Sequence, residues 1–307
     1  MQTILLTGGT GMIGKALTKM LIAKGYEVII LSRTSKKSHQ ALVSFAEWDV
    51  EKQTIDIDAI KKADHIIHLA GANVGEKRWT KKRKQEILES RTKSGALLVK
   101  TLKENENKIK TFISTSAIGW YGPDTKDSLQ NGFKEIAMAY EDFLGQTCIE
   151  WEASTKEIET LDKRLVYLRT GIVLDNNGGA LKEFKKPLKF GIAAILGSGK
   201  QIISWIHIED LCRMYIHAIE NNISGVFNAV APKPVSNKTL TLELAKKIRS
   251  KSFIPMHIPS FILKIVLGEM SVEVLKSATV NDDKIRNTGF KFLYPSLDAG
   301  LNELVKK

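Results

Sequence analysis

Thr7-Gly8-Gly9-Thr10-Gly11-Met12-Ile13-Gly14 joins a short apolar run, Thr3-Ile4-Leu5-Leu6-Thr7, to an amphipathic stretch that continues to about Lys24. A buried strand, a glycine-rich turn and the opening of a helix, in that order, are the setting that the diphosphate of a dinucleotide requires. Glycine permits the tight turn and lets the backbone approach the phosphates. The helix opening adds unpaired N–H groups and the positive end of its dipole. Counted from Gly8, glycine recurs at Gly11 and Gly14. A glycine pattern alone also describes an ordinary strand–helix turn; the flanking periodicities favour nucleotide binding.

The next strand refines the ligand. Gly25-Tyr26 ends the helix, and Glu27-Val28-Ile29-Ile30-Leu31 reads as a buried parallel strand. Sites for NAD usually place an acidic residue at the end of this strand, on the ribose 2′-hydroxyl. Here the strand ends in Ser32-Arg33. A guanidinium at that point can fork onto a 2′-phosphate, which favours NADP over NAD; the plainer reading of Arg33 is a solvated surface arginine.

The chain has 307 residues, 43% hydrophobic and 26% charged, room for one large α/β domain and a smaller appendage. Its formal charge of +12 raises the question of nucleic acid. The lysines are scattered apart from one run, Lys77-Arg78-Trp79-Thr80-Lys81-Lys82-Arg83-Lys84, with no accompanying nucleic-acid motif. A solvated helix face is the preferred reading of that run, and no nucleic-acid partner is expected. Cys148 and Cys212 do not form a disulfide framework, which suits a reducing, cytoplasmic setting. Met1 leads almost directly into the first strand, so no leader is expected. No apolar run reaches membrane-spanning length, and Phe261–Leu267 is short and broken by Lys264, so no membrane partner is expected. No His, Cys or carboxylate set has metal-site spacing, so no metal is expected.

Strand-like and helical patterns alternate onward. Residues 66–70 read as a strand, 82–102 as a long helix, 111–116 as a strand, 142–158 as a helix and 165–169 as a strand. That alternation predicts an α/β fold: a doubly wound parallel Rossmann sheet with helices on both faces and ligands at the C-terminal strand ends. After about Gly171 the rhythm changes. Val226-Phe227-Asn228-Ala229 reads as a late strand, and residues from about Pro255 as a small helical cap. The expected division is a nucleotide domain over 1–225, with contributions to a substrate lobe after 171, and a smaller C-terminal lobe over 226–307.

The glycine loop, Leu69-Ala70-Gly71, Ser114-Thr115-Ser116-Ala117 and Ile206-His207-Ile208-Glu209-Asp210 together resemble the extended short-chain dehydrogenase/reductases. Arg78-Trp79, Lys84, Ser90-Arg91, the segment Ser116–Gly122, Trp151-Glu152, Leu168–Leu174, Gly197–Gln201, Ser204–His207, Asn228–Pro232 and Gly268-Glu269-Met270 narrow the likeness. They are similar to an atypical subgroup, the "epimerase family proteins", which carry a short C-terminal domain of unknown function. The resemblance spans essentially the whole chain and implies NADP as cofactor. It places nucleotide contacts on Gly8, Thr10, Gly11, Met12, Ile13, Gly14, Ser32, Arg33, Leu69, Ala70, Gly71, Glu86, Arg91 and Val173. Without the resemblance, Arg91 reads equally well as a helix-surface arginine.

Typical enzymes of the superfamily use a Tyr-x-x-x-Lys pair on a helix and a serine on the preceding strand, tyrosine handling the proton at the substrate oxygen. Tyr26, Tyr121, Tyr140, Tyr167, Tyr215 and Tyr294 are followed four positions later by Ile30, Thr125, Leu144, Gly171, Ile219 and Asp298, none of them lysine. Anchored on Trp151-Glu152, the two usual positions fall on Leu144 and Cys148, and Cys148 on an apolar helix stripe reads as core. Ser116 keeps the serine position, as a ligand for a substrate oxygen or as a strand-end hydroxyl bonded to backbone. Tyr121 is the candidate substitute phenol. His207 is read as ordering a loop and opening a helix rather than as a base. Asn73, Trp79, Trp120, Trp205 and the Gly197–Gln201 loop are candidate walls of a substrate pocket, or hydrophobic seams.

The leading expectation is an NADP-dependent oxidoreductase or epimerase acting on a small sugar- or nucleotide-like molecule. The alternative is a non-catalytic NADP-binding regulatory or scaffold protein, with a loose link to cell division. Nucleic-acid binding through the basic run ranks last. Superfamily members often form a homodimer through two long helices, and the resemblance implies a homodimer as the partner.

Overall fold

The computed structural model describes residues 1–34, 37–38 and 40–305. Its strands are β1 (Thr3–Thr7), β2 (Glu27–Ser32), β3 (Val43–Asp49), β4 (Thr54–Ile55), β5 (His65–His68), β6 (Thr111–Ala117) and β7 (Arg164–Thr170), then β8 (Ile172–Asp175), β9 (Ile192–Leu196), β10 (Ile202–Ile203), β11 (Trp205–His207), β12 (Gly225–Ala229), β13 (Val235–Ser236) and β14 (Ile254–Ile258). Between them run α1 (Met12–Ala23), α2 (Ile57–Lys62), α3 (Lys81–Glu104), α4 (Lys126–Asn131), α5 (Phe143–Ala153), α6 (Gly179–Leu188), α7 (Ile208–Glu220) and α8 (Asn237–Arg249). The chain closes with α9 (Ser260–Leu267), α10 (Ser271–Leu275), α11 (Asp283–Arg286) and α12 (Leu297–Leu304).

Apolar runs too hydrophobic for a one-sided strand become the middle of an eight-stranded sheet, ordered β12-β7-β6-β5-β1-β2-β3-β4. All neighbours are parallel except β3 and β4. Side chains alternate across it. Ile4 and Leu6 meet Leu17 and Leu21 of α1 and Leu211 and Tyr215 of α7. Leu5, between them, faces the opposite layer with Ile60 of α2 and Leu97 and Leu98 of α3. The chain winds outward from β1 through β2 to β3, then returns to pair β5 with the other edge of β1. That reversal opens a crevice above the C-terminal ends of β1 and β5.

The sheet architecture agrees with the expectation; three local readings need correction. The helix read over 142–158 stops at Ala153, and a 3₁₀ turn follows over Lys156–Leu161. Ser154 Oγ donates to the Trp151 carbonyl at 2.7 Å and Thr155 Oγ1 bonds the Tyr167 hydroxyl at 3.1 Å, so side chains take over hydrogen bonds a helix would use. The segment from Pro255 is first a strand: β14 runs parallel to β9, and helix begins only at Ser260, after Pro259. Finally, β12 pairs with β7, Phe227 opposite Leu168, as the edge of the large sheet. The expected boundary at 225/226 therefore falls inside a strand of the first unit. The lobe core is Leu181, Leu188, Trp205, Leu240, Leu244 and Leu301, drawn from both sides of that boundary.

Candidate functional site

Where β1 gives way to α1, backbone approaches backbone. Gly8 has φ +67°, and a Cβ there would lie 2.9 Å from the Leu69 carbonyl carbon. A Cβ on Gly14 would lie 2.3 Å from the Gly8 carbonyl oxygen. Both positions admit glycine alone. Gly11 caps α1 without a side-chain bond, and the first turn contains no acid. The Gly11 N–H turns back to the Gly8 carbonyl at 3.0 Å, which leaves the Met12, Ile13 and Gly14 N–H groups at the open helix end. Thr10 and Gly11 are exposed beside them. Met12 packs on the Gly178-Gly179 turn that follows β8, and Val173 of β8 joins Ile13 against the same core.

The floor of the crevice is held by residues that sequence reasoning missed. Thr7 Oγ1 accepts from the Leu69 and Ala70 N–H groups at 3.0 and 3.1 Å. Its own proton is then free for His68 Nδ1, 2.8 Å away. That fixes the His68 tautomer: Nε2 carries the hydrogen and points at Ser94 Oγ, 3.2 Å away, which itself donates to the Ser90 carbonyl at 2.7 Å. Burial, then the Arg91 charge, holds His68 down to about 3, so it is neutral. The only local sign of this clamp is polar residues inside apolar runs; the partners lie 61 residues apart.

Arg91 reaches the same floor from α3. It is 8% exposed. Nη1 donates to the Ala72 and Ile87 carbonyls at 3.1 and 2.8 Å, and the guanidinium lies 4.7 Å from the Trp151 ring centre. A Cβ on Gly71 would stand 3.1 Å from its Cζ. Burial, the largest influence, lowers it to about 10, and no carboxylate among the described residues offsets that. Glu86, further toward the start of α3, is exposed and paired with Arg83 at 2.7 Å. Ser32 Oγ accepts from Thr34 N–H at 3.5 Å at the end of β2. Arg33 beside it is exposed and makes no ion pair among the described residues.

Ser116 and Tyr121 come together through Arg169, inside a buried network. Ser116 Oγ donates to Glu152 Oε1 at 2.7 Å, since a carboxylate can only accept. Arg169 grips the same carboxylate with two bonds of 2.8 and 3.0 Å. Its remaining nitrogen donates to the Tyr121 hydroxyl at 3.3 Å and the Glu135 carbonyl at 3.0 Å, and the guanidinium lies 3.5 Å from the Trp120 ring centre. Tyr121 in turn donates to Asn228 Oδ1 at 2.7 Å. The tyrosine is fully buried, which pushes its hydroxyl up to about 12. Leu144 and Cys148 of α5 face Gly119 in the 3₁₀ turn that follows β6. Cys148 is buried, its thiol directed at the Ala117 carbonyl 3.7 Å away and pushed up to about 12 by burial and then by Glu152. It is a core thiol, not a nucleophile poised as thiolate.

The other candidates disperse. His207 caps α7 by accepting from Glu209 N–H at 3.2 Å. Trp205 is buried in the lobe core, its N–H on the Lys233 carbonyl. Gly197 and Gly199 take positive φ in a turn packed on Leu275 and Lys238. Asn73 Oδ1 accepts from Gly75 N–H, and Trp79 stands edge-on to Phe143 at 5.1 Å. The basic run is not uniformly solvated: Arg83 is buried and bonds the Asn73 carbonyl at 2.6 Å, while Arg78 and Lys84 reach Ile265 and Glu269 beyond β14. Among the described residues no cluster of three His, Cys, Asp or Glu side chains is placed to hold a metal, and no helix is long and apolar enough to cross a membrane.

Comparison with known proteins agrees with this fold. Residues 4–139 match the NAD dependent epimerase/dehydratase family and residues 258–304 match a domain of unknown function, DUF1731. An epimerase family protein of Staphylococcus saprophyticus is 37% identical over 99% of this chain and 100% of its own length. The epimerase family protein YfhF of Bacillus subtilis is 36% identical over 99% of this chain and 98% of its own. Among solved structures, human epimerase family protein SDR39U1 with NADPH superposes with a TM-score of 0.86 at 29% identity, covering 99% of both chains. A UDP-glucuronic acid 4-epimerase of Bacillus cereus, at 20% identity and a TM-score of 0.79 over 99% of this chain and 98% of its own, shares the fold. With its glycine loop, its two-sided parallel sheet and its C-terminal DUF1731 segment, the chain belongs to the epimerase family proteins of the NAD dependent epimerase/dehydratase family.

Proposed function

We propose that the protein binds NADP in the crevice between β1 and β5 and uses it for hydride transfer with a small molecule. One observation carries this reading: a buried, acid-free guanidinium, Arg91, lies over the same floor onto which the open N-terminus of α1 faces. A buried cation without a counter-charge is costly, and an anionic ligand supplies what is missing. The diphosphate would rest on Gly8, Thr10, Gly11, Met12, Ile13 and Gly14, with Leu69, Ala70, Gly71 and Val173 beneath and beside it. Ser32 and Arg33 would take the 2′-phosphate, and Glu86 a further nucleotide contact. The NADPH in the human relative's structure supports the choice of NADP. The nicotinamide supplies the hydride; the chain binds it, orients it and excludes water around it.

Isothermal titration of the purified chain with NADP and with NAD tests this. Arg33→Ala should weaken NADP by about 10- to 100-fold, the worth of charge-assisted bonds to a phosphate, and leave NAD nearly unchanged. Equal losses for both nucleotides would remove the 2′-phosphate assignment.

A non-catalytic, NADP-sensing role has one observation in its favour. Ser116 and Tyr121 both spend their protons on protein acceptors. That role forecasts nucleotide binding with no turnover on any substrate.

A further inference from the structure

Hydride delivered to a simple ketone leaves an alkoxide nearly as basic as hydroxide, whose conjugate acid has a pKa of about 16. Such a product needs a proton handed over as it forms, a service worth roughly 10²–10⁴ in rate. The polar groups at the ends of β6 and β7 are not free to give one. Ser116 donates to Glu152, Tyr121 donates to Asn228, and Arg169 is held by Glu152. On α5, the side chains that face Gly119 are Leu144 and a buried Cys148. Several side chains around this end are apolar or aromatic, beside the exposed Asn73 and the half-buried Lys84, whose Nζ lies 5.6 Å from the Phe143 ring centre and is paired with Glu269 at 2.7 Å. Ile172 at the head of β8 is 39% exposed, Trp79 meets Phe143 edge to face, and Leu144 closes on Gly119.

We propose, building on the NADP reading above, that the substrate is an apolar, planar acceptor of the quinone class rather than a sugar. The quinone accepts a hydride, with both its electrons, from the dihydronicotinamide, which is thereby oxidised. The product is a hydroquinone monoanion. Its oxygen is a phenolate, with a conjugate-acid pKa of about 10, and takes its proton from water. No protein acid is required, and Ser116, Tyr121 and Arg169 are each held by another protein group. Trp79 and Phe143 give a flat ring a surface to lie against.

The test uses the full chain with NADPH and three probes: 1,4-naphthoquinone, cyclohexanone and UDP-glucose. NADPH absorbance is followed, with heat-inactivated protein as the control for uncatalysed reduction, and NADPH binding is measured separately by calorimetry. The expected result is saturable reduction of naphthoquinone, at least 100-fold faster than of either other probe. Its kcat/KM should change by less than about threefold between pH 6 and 9, because no protein acid titrates in the step. Trp79→Ala should raise KM for the quinone and leave the NADPH Kd unchanged. Turnover of cyclohexanone or UDP-glucose at a rate comparable to the quinone overturns the proposal. So does NADPH binding with no quinone reduction. Failure to bind NADPH would bring down the nucleotide reading itself, and this one with it.

Discussion

Glu152 and Arg169 are charged residues in a place that ordinarily excludes charge. Glu152 is 9% exposed and Arg169 2%. Each is tolerable only because the other is present: the pair exchanges two bonds, and the surplus valences go to Ser116, Tyr121 and the Glu135 carbonyl. Removing one partner from such a pair leaves an uncompensated buried charge, at a cost of about 3–5 kcal/mol. Replacing both by apolar residues avoids that cost. Glu152→Leu is therefore expected to lower unfolding stability by about 3–5 kcal/mol, and Glu152→Leu with Arg169→Met to recover most of it. A urea-denaturation double-mutant cycle reads this directly; strictly additive losses would show that the two side chains do not act as a unit. Gly8 and Gly14 were legible in advance because close backbone approach leaves a glycine signature. The burial of Arg91 was not. A helix face is defined by what packs on it, and here that is Trp151, far along the chain.

At the scale of elements, α9 inverts the usual helix. Its sequence is almost wholly apolar, yet Leu263 is its one buried residue; Phe261, Ile265 and Val266 are 63%, 69% and 59% exposed. The helix is fastened by Leu263 and by Arg78 Nη2, which donates to the Ile265 carbonyl at 3.1 Å. Leu263→Ala should cost about 2–5 kcal/mol, or loosen α9 locally. Phe261→Ser or Ile265→Ser should change stability by no more than about 0.5 kcal/mol. Chemical denaturation with hydrogen exchange across residues 260–267 distinguishes the two classes, and comparable losses for all three would mean that α9 packs on more than Leu263. The strand just before it shows why elements after Gly171 were hard to read. Residues 254–258 contain Pro255 and no clean alternation. They become a strand because β9, some sixty residues earlier, offers a parallel edge. Before Gly171, β1, β2, β5, β6 and β7 are largely apolar runs beside a helix pattern, so local sequence sufficed for them, whereas β3 and β4 carry no such run and were not legible.

At the scale of the whole molecule, the parallel sheet was legible because burial on both faces writes itself as uninterrupted apolar runs. The lobe was not, because its core is assembled from segments on either side of the last sheet strand. The same two-sided burial gives the fold a shared sensitivity to acid. Burial, then the Arg164 charge, holds His65 down to about 4, and burial, then Arg91, holds His68 at about 3. Burial shifts His207 and His217 the same way. An unfolded histidine takes up its proton near 6.5, so below that pH the unfolded chain binds more protons than the folded one. The contribution of these histidines is complete above about pH 6.5 and is lost as pH falls toward about 4 for His65 and about 3 for His68. Each fully linked histidine should add a slope of about 1.4 kcal/mol per pH unit in its window. His65 isolates the effect, because both its ring nitrogens are buried without a hydrogen-bond partner, so replacing it forfeits no bond. His65→Leu should change stability at pH 7 by less than about 1.5 kcal/mol. Between about pH 6 and 4.5 its urea midpoint should fall less steeply than that of the parent chain, by up to one histidine's worth of slope. Parallel pH profiles for the two proteins would mean that His65 takes up its proton in the folded state as readily as in the unfolded one.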